Sequence, residues 1–372
     1  MSGGVDSSVS ALLLKEEGYE VHGVSLDLYS CDRPMGKGCC TPADRLDARK
    51  ICETLSIPFS IVDLKPEFYQ TVVRYFVDEY KNGRTPLPCA PCNSDLRFQA
   101  LLDFADQIGA SSIATGHYAK VDRSNEKKAV LCRAKDRKKD QSYFLFGISQ
   151  KIVDRLLLPL GDWNKTDVRK KAAEGGLITS DKDDSQELCF VGDREHARYI
   201  EEHFPEETPP EGMLVDTKGH ALGRHRGIHH YTVGQRKGLG VTGLEKRYVI
   251  QLNAASNEVV LGSREELRAI GLKAKPIYWH RGPVIGEKLL VKIRSTHPGV
   301  MATVADLNGS ITIHFEEAQY AVAPGQAAVL YDGEIVVGGA TIIEAVSPSF
   351  VRRGMGEVEH LPPIVPLTKG DE

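Results

Sequence analysis

Three cysteines are candidates for sulfur chemistry in this chain of 372 residues. Cys89 and Cys92 form a C-x-x-C pair in a segment with prolines at positions 86, 88 and 91, and Cys189 follows the polar stretch Ser180–Gln186. The prolines predict a stiff, exposed segment that stays out of a helix and lies beside a helix start, a setting that favours a reactive thiolate. A C-x-x-C pair alone leaves redox, metal-binding and catalytic uses open, and a zinc site would need a partner such as His117 or Cys189.

The remaining cysteines do not indicate a second site. Cys31, Cys39 and Cys40 fit an ordinary loop or a segment on the substrate side, because adjacent cysteines rarely both bind one metal ion. Cys52 and Cys132 are expected in a helix core and a strand core. Eight cysteines are too few for a secreted disulfide framework in a chain of this length.

The N-terminal run Ser2-Gly3-Gly4-Val5-Asp6-Ser7-Ser8 is a candidate phosphate-binding loop. Glycines let the backbone approach an anion, and the start of the following helix adds N–H donors and the positive end of a dipole. The serine hydroxyls are further donors, and Asp6 is a candidate Mg²⁺ ligand. The run is not a Walker A motif, and a glycine-serine helix cap is the alternative interpretation. Only Met1 precedes it, so either the true start lies upstream or the sheet lacks the first strand expected there.

Basic segments are candidates for binding RNA phosphates. They are Arg133–Lys139, Lys165–Lys171, Arg224–Arg226 and Arg236-Lys237. Each alone is more typical of a solvated face, but together they offer the broad cationic surface that an RNA needs. Tyr143 and Tyr231 are either base-stacking partners or core residues. His229 and His230 are expected to be neutral surface residues rather than metal ligands.

The elements that must position these residues change character along the chain. Up to about residue 150, helix and strand patterns alternate, which predicts an α/β fold with a doubly wound parallel sheet. These patterns are Ser7–Gly18, Glu20–Leu28, Pro42–Leu55, Ile57–Leu64 and Leu96–Gly109. Gln150–Gly176 is predicted to be wholly helical. From about residue 211, short β-rich runs between glycine turns predict small barrels or sandwiches.

Composition and charge narrow the class of protein. Hydrophobic content is 41% and charged content 26%, both typical of a globular protein, and the net charge of −4 favours neither nucleic acid nor membrane partners. No apolar run is long enough to cross a bilayer, and no signal peptide is visible. We therefore expect a cytoplasmic protein with no membrane partner.

Several motifs in one order resemble the bacterial tRNA-specific 2-thiouridylase family, from residue 1 to about 345. The matching segments are SGGVDSSV at 2–9, GCCTPADRLDAR at 38–49, TGHYA at 115–119, KDQSYFL at 139–145, DSQELCFVG at 184–192, YTVGQRKGLGV at 231–241 and APGQAAVLYDG at 323–333. The first segment also resembles the SGGxDS loop of the pyrophosphatase-type ATP superfamily, which splits ATP into AMP and pyrophosphate. With this resemblance we predict an α/β ATP domain over 1–150 with a helical extension to about 200, a small central domain over 201–270, a C-terminal β-barrel over 271–346 and a loosely ordered tail over 347–372.

The resemblance implies an enzyme that uses ATP and Mg²⁺ to replace O2 of the wobble uridine of tRNA with sulfur. Adenylation turns O2 into a leaving group, and a cysteine persulfide supplies the sulfur. Cys92 aligns with the nucleophilic cysteine. Cys189 aligns with the cysteine that carries the persulfide and then forms a disulfide with Cys92. The products are 2-thiouridine, AMP and pyrophosphate, and the sulfur donor is a persulfide relay protein or sulfide.

The resemblance also implies the residues that bind substrates. ATP is bound by Ser2, Gly3, Gly4, Val5, Asp6 and Ser7, with Leu26 and Gly116 on the adenine and ribose side. The target base meets Leu87, Pro88 and Cys89. The stretches that contact tRNA are Lys139, Asp140 and Gln141 together with Arg294 and Ser295, while His117 and Gln326 align with residues that aid tRNA selection.

Cys89 departs from the family pattern, because many members carry aspartate there and so have D-x-x-C. Three thiolates, from Cys89, Cys92 and Cys189, can hold a 4Fe–4S cluster and leave one iron open. One hypothesis is that such a cluster holds hydrosulfide on the open iron. In the alternative, sulfur travels as a persulfide and Cys89 only adjusts the pKa of Cys92.

Two other functions stay open at this point. Another ATP-dependent ligase, amidotransferase or sulfurtransferase would use the same loop, and a ligase or amidotransferase would not need Cys92 and Cys189. A non-catalytic module that binds tRNA or carries a cluster would bind tRNA without forming AMP.

Overall fold

A computed structural model of the chain describes residues 1–29, 42–124, 128–178, 188–192, 196–241 and 246–348. The predictions for Cys31, Cys39, Cys40, the polar stretch 180–186 and the tail beyond residue 348 lie outside these residues. Among the helices that are described, none is both long and apolar enough to cross a membrane.

The helices lie mainly in the first 203 residues. The α-helices of the described chain are α1 (Val5–Glu16), α2 (Pro42–Thr54), α3 (Lys65–Phe68), α4 (Arg74–Lys81), α5 (Cys89–Pro91), α6 (Phe98–Ile108), α7 (Ser142–Leu145), α8 (Gln150–Arg155), α9 (Lys165–Glu174) and α10 (His196–His203). The π-helical stretches Tyr69–Val73 and Cys92–Arg97 join α3 to α4 and α5 to α6. Short 3₁₀ turns lie at Pro205–Glu207, Ile228–His230 and Glu265–Leu267.

The local sequence explains why α6 forms and where it ends. Phe98, Leu102 and Ala105 lie at helical spacing and are all buried, so one apolar face packs against the core. Gly109 follows the last turn with φ of +73°, a left-handed conformation that glycine adopts without steric cost. α6 continues the π-helical stretch that begins at Cys92, so its buried face holds the C-x-x-C segment against the core.

The first strands pair in parallel, as the alternation of helix and strand predicts. The strands before residue 200 are β1 (Gly23–Asp27), β2 (Phe59–Asp63), β3 (Ile113–Ala114), β4 (Ala119–Asp122), β5 (Val130–Arg133) and β6 (Leu156–Leu157). β1 pairs with β2 and β3 pairs with β6, both in parallel, so the sheet appears as two short pairs in the described chain. The predicted α/β fold class of this part is confirmed.

The second half is built mainly from antiparallel strands, and its β-rich character agrees with the prediction of small barrels or sandwiches. Its strands are β7 (Gly212–Asp216), β8 (Ala221–His225), β9 (Tyr248–Asn253), β10 (Glu258–Gly262), β11 (Arg268–Trp279), β12 (Lys288–Lys292), β13 (Val300–Asp306), β14 (Ile311–Tyr320), β15 (Ala327–Asp332) and β16 (Ile335–Val346). A four-stranded sheet has the order β8-β7-β10-β9, in which only the β7–β10 pair is parallel. The strands β11-β14-β13-β12-β15-β16 close into a barrel, because β16 pairs again with β11. The predicted C-terminal barrel is thus confirmed.

The prediction of one continuous helix over Gln150–Gly176 is wrong. α8 ends at Arg155, β6 follows and pairs with β3, and α9 begins only at Lys165. The sequence Leu-Leu-Leu-Pro-Leu-Gly explains the break, since a residue before proline disfavours the helical conformation. At Gly161 the chain passes the neighbouring loop so closely that a Cβ atom would lie 2.4 Å from the Ala119 carbonyl oxygen.

One hydrophobic core is shared between the α/β part and the barrel. It contains Phe98, Leu102 and Phe146 together with Val329 and Val336 from β15 and β16. The hydroxyl of Tyr143 donates a hydrogen bond to the Ala327 carbonyl at 2.9 Å, and Tyr143 is fully buried. Tyr231 is buried as well, so both tyrosines serve packing rather than base stacking in this structure. The shared core fixes the barrel next to the C-x-x-C segment.

Candidate active site

The glycine-rich loop leads directly into α1 and packs tightly against α2. Gly3 has φ of +70°, and a Cβ atom there would lie 2.2 Å from the Asp44 carbonyl oxygen, so a side chain is excluded. The Ser7 and Ser8 hydroxyls donate to the Gly4 carbonyl at 3.1 and 2.8 Å. The loop is therefore held at the positive end of the α1 dipole, which suits an anion. The assignment of Ser2 to Ser7 to ATP stays a prediction.

Asp6 in this loop is bound by two side chains from distant parts of the chain. The Lys165 ammonium group, at the start of α9, donates to both carboxylate oxygens at 2.7 and 2.8 Å. The Tyr118 hydroxyl donates to Asp6 Oδ1 at 2.8 Å. Lys165 is only 9% exposed, whereas the Asp6 side chain is 33% exposed, so the lysine side of this ion pair is the buried one. The carboxylate that the sequence offers to Mg²⁺ thus already has a cationic partner.

Lys165 is a site residue that sequence reasoning placed in the wrong group. In the sequence it opens the basic run Lys165–Lys171, which favours an RNA-binding or solvated face. In the structure its side chain points into the phosphate loop instead. Its ammonium group also lies 5.7 Å from the centroid of the Tyr118 ring. A usable signal is its position at the N-terminus of α9, one residue after Asn164, where a side chain can leave the helix face.

The TGHY segment after β3 lies against the same loop. A Cβ atom on Gly116 would lie 2.7 Å from the Asp6 carbonyl carbon and 2.8 Å from Ser7 N, so glycine is required by close packing. Thr115 Oγ1 and His117 Nδ1 are 2.9 Å apart, and the His117 ring lies 5.9 Å from the Phe98 ring. Burial, together with the charge of Arg97, lowers the pKa of His117 to about 4. His117 is therefore neutral near pH 7.

Leu26 lies in β1, on the strand that follows α1. Its side chain is half-buried and packs against the cluster that also contains Cys92. The next residue, Asp27, pairs with Arg45 at 2.7 Å and with Lys65 at 2.6 Å. The structure thus places Leu26 against the cluster that contains Cys92, and its contact with adenine stays a prediction.

The prediction that the C-x-x-C pair lies in an exposed segment outside a helix is wrong. Cys89 begins α5, Cys92 begins the π-helical stretch that runs into α6, and Cys92 is only 5% exposed. Pro88 caps α5 and Pro91 lies within its first turn, where the N–H group that proline lacks has no helical partner to lose. The prolines therefore start this helix instead of preventing it. Cys89 remains half-buried.

Cys92 and Cys189 lie at the same hydrophobic cluster although they are 97 positions apart in the sequence. Cys92 is a member of the buried cluster, and Cys189 packs against it. The Tyr29 hydroxyl donates to the Cys189 carbonyl. The neighbouring Phe190 ring is anchored edge-on by Phe68 at 5.7 Å, and by two further rings, Phe76 at 5.1 Å and Tyr199 at 5.4 Å. The described end of this segment is thus fixed beside the helix that carries Cys92.

The segment expected to meet the target base is held by the C-terminal barrel. The Gln326 side-chain amide donates to the Thr85 and Pro86 carbonyls at 3.1 and 3.2 Å. The Thr85 N–H donates in return to the Pro324 carbonyl at 2.8 Å. Leu87 is half-buried and Pro88 buried. Gln326, which the resemblance links to tRNA selection, therefore binds the protein's own backbone directly before Leu87, Pro88 and Cys89.

Residues expected in tRNA-contacting stretches fall into two groups. Arg294 and Ser295 are exposed between β12 and β13. Asp140, by contrast, pairs with Arg133 at 3.1 Å with its side chain only 1% exposed, and Gln141 Oε1 accepts the Tyr118 N–H at 2.9 Å. The backbone N–H of Lys139 donates to the Asp136 carbonyl at 3.1 Å. Gln141 thus supports the TGHY segment and Asp140 pairs within its own part of the chain, and all five assignments to tRNA stay predictions.

Comparison with known proteins places most of the chain, up to residue 342, in one family. Residues 1–193 match the profile described as tRNA methyl transferase HUP domain, 197–263 match its PRC-barrel domain, and 270–342 match the aminomethyltransferase beta-barrel domain. The chain is 44% identical over 364 residues to the tRNA-specific 2-thiouridylase MnmA of Acidobacterium capsulatum, covering 92% of this chain and 97% of that protein. It is 42% identical to the enzymes of the same name from Clostridioides difficile and Koribacter versatilis. Each match covers 92% of this chain, and they cover 96% of the first enzyme and 97% of the second.

Proposed function

The chain belongs to the tRNA-specific 2-thiouridylase family, and from this premise we propose that it is a tRNA-uridine 2-sulfurtransferase that uses ATP. Its substrate is the wobble uridine of tRNA, and its product is 2-thiouridine. The observation that carries the proposal is that Cys189 packs against the buried cluster that contains Cys92. The description of the first matching profile refers to a methyl transferase. Methyl transfer would not require this pair of cysteines. We further propose that the enzyme works in the cytoplasm.

In the first step, uridine O2 attacks the α-phosphate of ATP, pyrophosphate leaves, and an adenylated uridine forms. Ser2, Gly3, Gly4, Val5, Asp6 and Ser7 hold the phosphates, with Leu26 and Gly116 on the adenosine side. Both Asp6 oxygens accept from Lys165, so this carboxylate has little capacity left for a metal ion. The residues therefore fit Mg²⁺ that arrives with ATP and is held mainly by phosphate oxygens.

In the second step, the outer sulfur of a persulfide on Cys189 attacks C2 of the uridine, and AMP leaves with the former O2. The Cys92 thiolate then attacks the inner sulfur, on Cys189. That attack forms a Cys92–Cys189 disulfide and leaves the outer sulfur on the base as the thiocarbonyl. A dithiol reductant restores both thiols before a persulfide relay protein reloads the outer sulfur on Cys189. Sulfide can reload it only by attacking the Cys92–Cys189 disulfide itself, which gives the Cys189 persulfide and releases the Cys92 thiolate.

A second sulfur source is favoured by the position of Cys89. Cys89 and Cys92 are one helical turn apart, and Cys189 packs against the cluster that contains Cys92, so these three thiols are candidate ligands for a 4Fe–4S cluster. Such a cluster would supply an open iron that binds hydrosulfide. Without it, Cys89 serves as a neighbour that adjusts the acidity of Cys92.

Binding of tRNA is supported by basic side chains on the described surface. Arg294 is exposed beside the barrel, and Arg236, Lys246 and Arg247 line an open depression of about 420 Å³ in the central part. Guanidinium and ammonium groups at such positions neutralise phosphates without reading the sequence. The target base must leave its stack to reach the Leu87-Pro88-Cys89 segment.

Serine substitutions at the cysteines test the order of these steps. In Cys92→Ser and Cys189→Ser, we expect 2-thiouridine formation to fall more than about 1,000-fold, because a hydroxyl cannot carry or release sulfur. Release of pyrophosphate in the first turnover should persist, since adenylation precedes sulfur transfer. The readouts are the mass of the tRNA nucleosides and pyrophosphate release. Cys132→Ala, in buried β5, is the matched control and should keep its activity.

Cys89→Ser separates the two sulfur sources. The persulfide route predicts a loss of about tenfold or less, whereas a cluster needs the third thiolate and would lose its iron and its activity together. Iron and acid-labile sulfide are measured in anaerobically purified protein. Full thiolation by Cys92→Ser would contradict the proposal and favour another ATP-dependent ligase or sulfurtransferase. Binding of tRNA without pyrophosphate release would indicate a non-catalytic module.

A further inference from the structure

A second group of potential ligands lies between α10 and the 3₁₀ turn Ile228–His230, outside the active site. It consists of Glu201 from α10 with His229 and His230 from the turn. Glu201 Oε1 lies 2.8 Å from His230 Nε2 and 3.5 Å from His229 Nε2. The three ligand atoms lie within 4.8 Å of one another. Three side chains from two separate elements therefore converge on one point.

The expectation that both histidines lie on the surface is wrong for His229, which is fully buried. Within the part of the chain that the structure describes, neither of its ring nitrogens has a hydrogen-bond partner. A buried polar group without a partner costs about 1–3 kcal/mol. The structure thus contains a buried imidazole that faces the Glu201 carboxylate without a hydrogen bond of its own.

We propose that Glu201, His229 and His230 form a binding site for a divalent cation of the zinc class. Two imidazoles and one carboxylate are a donor set that zinc uses in proteins, at metal–ligand distances of about 2.0–2.2 Å. In a tetrahedral site such distances put ligand atoms roughly 3.3 Å apart, and the observed 2.8 and 3.5 Å need shifts of only a few tenths of an ångström. Water takes the fourth position, because the Glu201 side chain is 41% exposed.

A hydrogen-bonded triad without a metal explains the same residues less well. Glu201 Oε1 can accept a hydrogen bond from His230 Nε2 at 2.8 Å. The distance of 3.5 Å to His229 Nε2 is too long for a good hydrogen bond. The two imidazole rings are 4.4 Å apart at their centroids and inclined by 45°, so they do not stack on each other. A cation between the three atoms satisfies His229 and offsets the carboxylate charge at the same time.

The proposed metal site would link the turn Ile228–His230 to the aromatic residues that pack beside Cys189. α10 carries Glu201 and also Tyr199, whose ring lies edge-on to Phe190 at 5.4 Å, next to Cys189. At the other end of α10, His196 stacks on Tyr80 at 4.4 Å and its Nε2 lies 2.9 Å from the His229 carbonyl oxygen. A bound ion therefore fixes α10 against the turn and, through α10, the packing of Phe190. The site itself does not depend on the proposed reaction.

Metal binding is tested on the full chain after treatment with a chelator. Zinc is titrated by calorimetry, and cobalt is titrated by its visible absorption. Because Cys89, Cys92 and Cys189 can also bind these ions, cobalt bound by thiolates is recognised by its near-ultraviolet charge-transfer band. We expect one equivalent that lacks this band, and zinc should raise the melting temperature.

Substitution identifies the ligands. Glu201→Gln and His230→Gln, both at side chains that reach solvent, should lose that equivalent and the zinc-dependent rise in melting temperature. His220→Gln should keep both, since His220 pairs with Asp216 at 2.9 Å on an exposed surface and forms no three-ligand group. The proposal is overturned if the unmodified chain binds no equivalent of cobalt that lacks the thiolate charge-transfer band. It is also overturned if the Glu201→Gln/His230→Gln double variant, shown to be folded by circular dichroism, retains that equivalent.

Discussion

The ammonium group of Lys165 lies 2.7 and 2.8 Å from the two oxygens of Asp6, inside the phosphate loop. In Lys165→Met, the Asp6 charge loses this partner and repels the phosphates of ATP, while the loop loses its tie to α9. We expect tRNA-dependent AMP formation to fall at least about 100-fold. Affinity for tRNA should change by less than about threefold, because Lys165 is buried and does not reach an RNA.

The control for this prediction lies on the same helix. Lys170 has a side chain that is 77% exposed and pairs only loosely with Glu174 at 3.8 Å, so Lys170→Met removes a charge without touching the loop. Equal losses of AMP formation in both variants would show that the loss of one positive charge is enough. The proposed role of the Lys165–Asp6 ion pair would then be contradicted. The two rates and the tRNA affinities are measured in parallel by product chromatography and filter binding.

At the residue scale, residue type identifies candidate reactive side chains, but it does not predict what surrounds them. Cys89, Cys92 and Cys189 are candidates by residue type, and their roles in sulfur transfer follow from the resemblance and stay predictions. The sequence cannot predict that Lys165 turns into the loop, because a run of basic residues usually forms a solvated face. The buried state of Cys92 was missed for a related reason, since prolines are more often helix breakers than helix starters.

At the scale of elements, a loop of the barrel holds the segment that precedes the C-x-x-C pair. Gln326 binds the Thr85 and Pro86 carbonyls, and at Gly325, whose φ is +91°, a Cβ atom would lie 2.8 Å from the Thr85 carbonyl oxygen. Gln326 is thus a positioning residue for Leu87, Pro88 and Cys89. Its side chain acts on the base only through this segment.

Gln326→Leu removes both hydrogen bonds and keeps the approximate volume of the side chain. We expect kcat for thiolation to fall by about 10–100-fold with little change in KM for tRNA, because positioning is lost but RNA contacts are kept. The loss of stability should be about 1–3 kcal/mol. Gln319→Leu is the control, since its amide bonds only to groups on the barrel, His297 and the Glu317 carbonyl. A rise in KM at constant kcat would instead indicate a direct contact between Gln326 and tRNA.

The elements themselves were predicted unevenly. The β-rich runs at 247–252, 288–294 and 327–331, which the sequence separates by glycine turns, predict β9, β12 and β15 at nearly their observed positions. β11 was missed because Gly271 and Pro276 interrupt its alternation, and Gly271 passes so close to β14 that a Cβ atom would lie 2.3 Å from the Ile313 carbonyl oxygen. The π-helical stretch at Cys92 has no simple sequence signal, although such stretches often occur at functional sites.

At the scale of the whole molecule, the α/β part and the barrel form a joint structure. β4 and β5 extend the barrel sheet through the pairing of Cys132 with Ile335, two residues 203 positions apart. Such pairing between distant segments leaves no local signal in the sequence. The order of α/β part, central part and barrel was predictable from the change in periodicity, whereas the limits near residues 150, 200 and 270 stay predictions.

The most direct measurement is one reaction with the unmodified enzyme. The chain is incubated with ATP, Mg²⁺, a persulfide donor, a dithiol reductant and tRNA that lacks the modification, and the digested tRNA is analysed by mass. We predict 2-thiouridine at the wobble position together with one AMP and one pyrophosphate for each sulfur inserted. Thiolation without AMP, or AMP formation with no sulfur in the tRNA when either the persulfide donor or sulfide is supplied, would contradict the account.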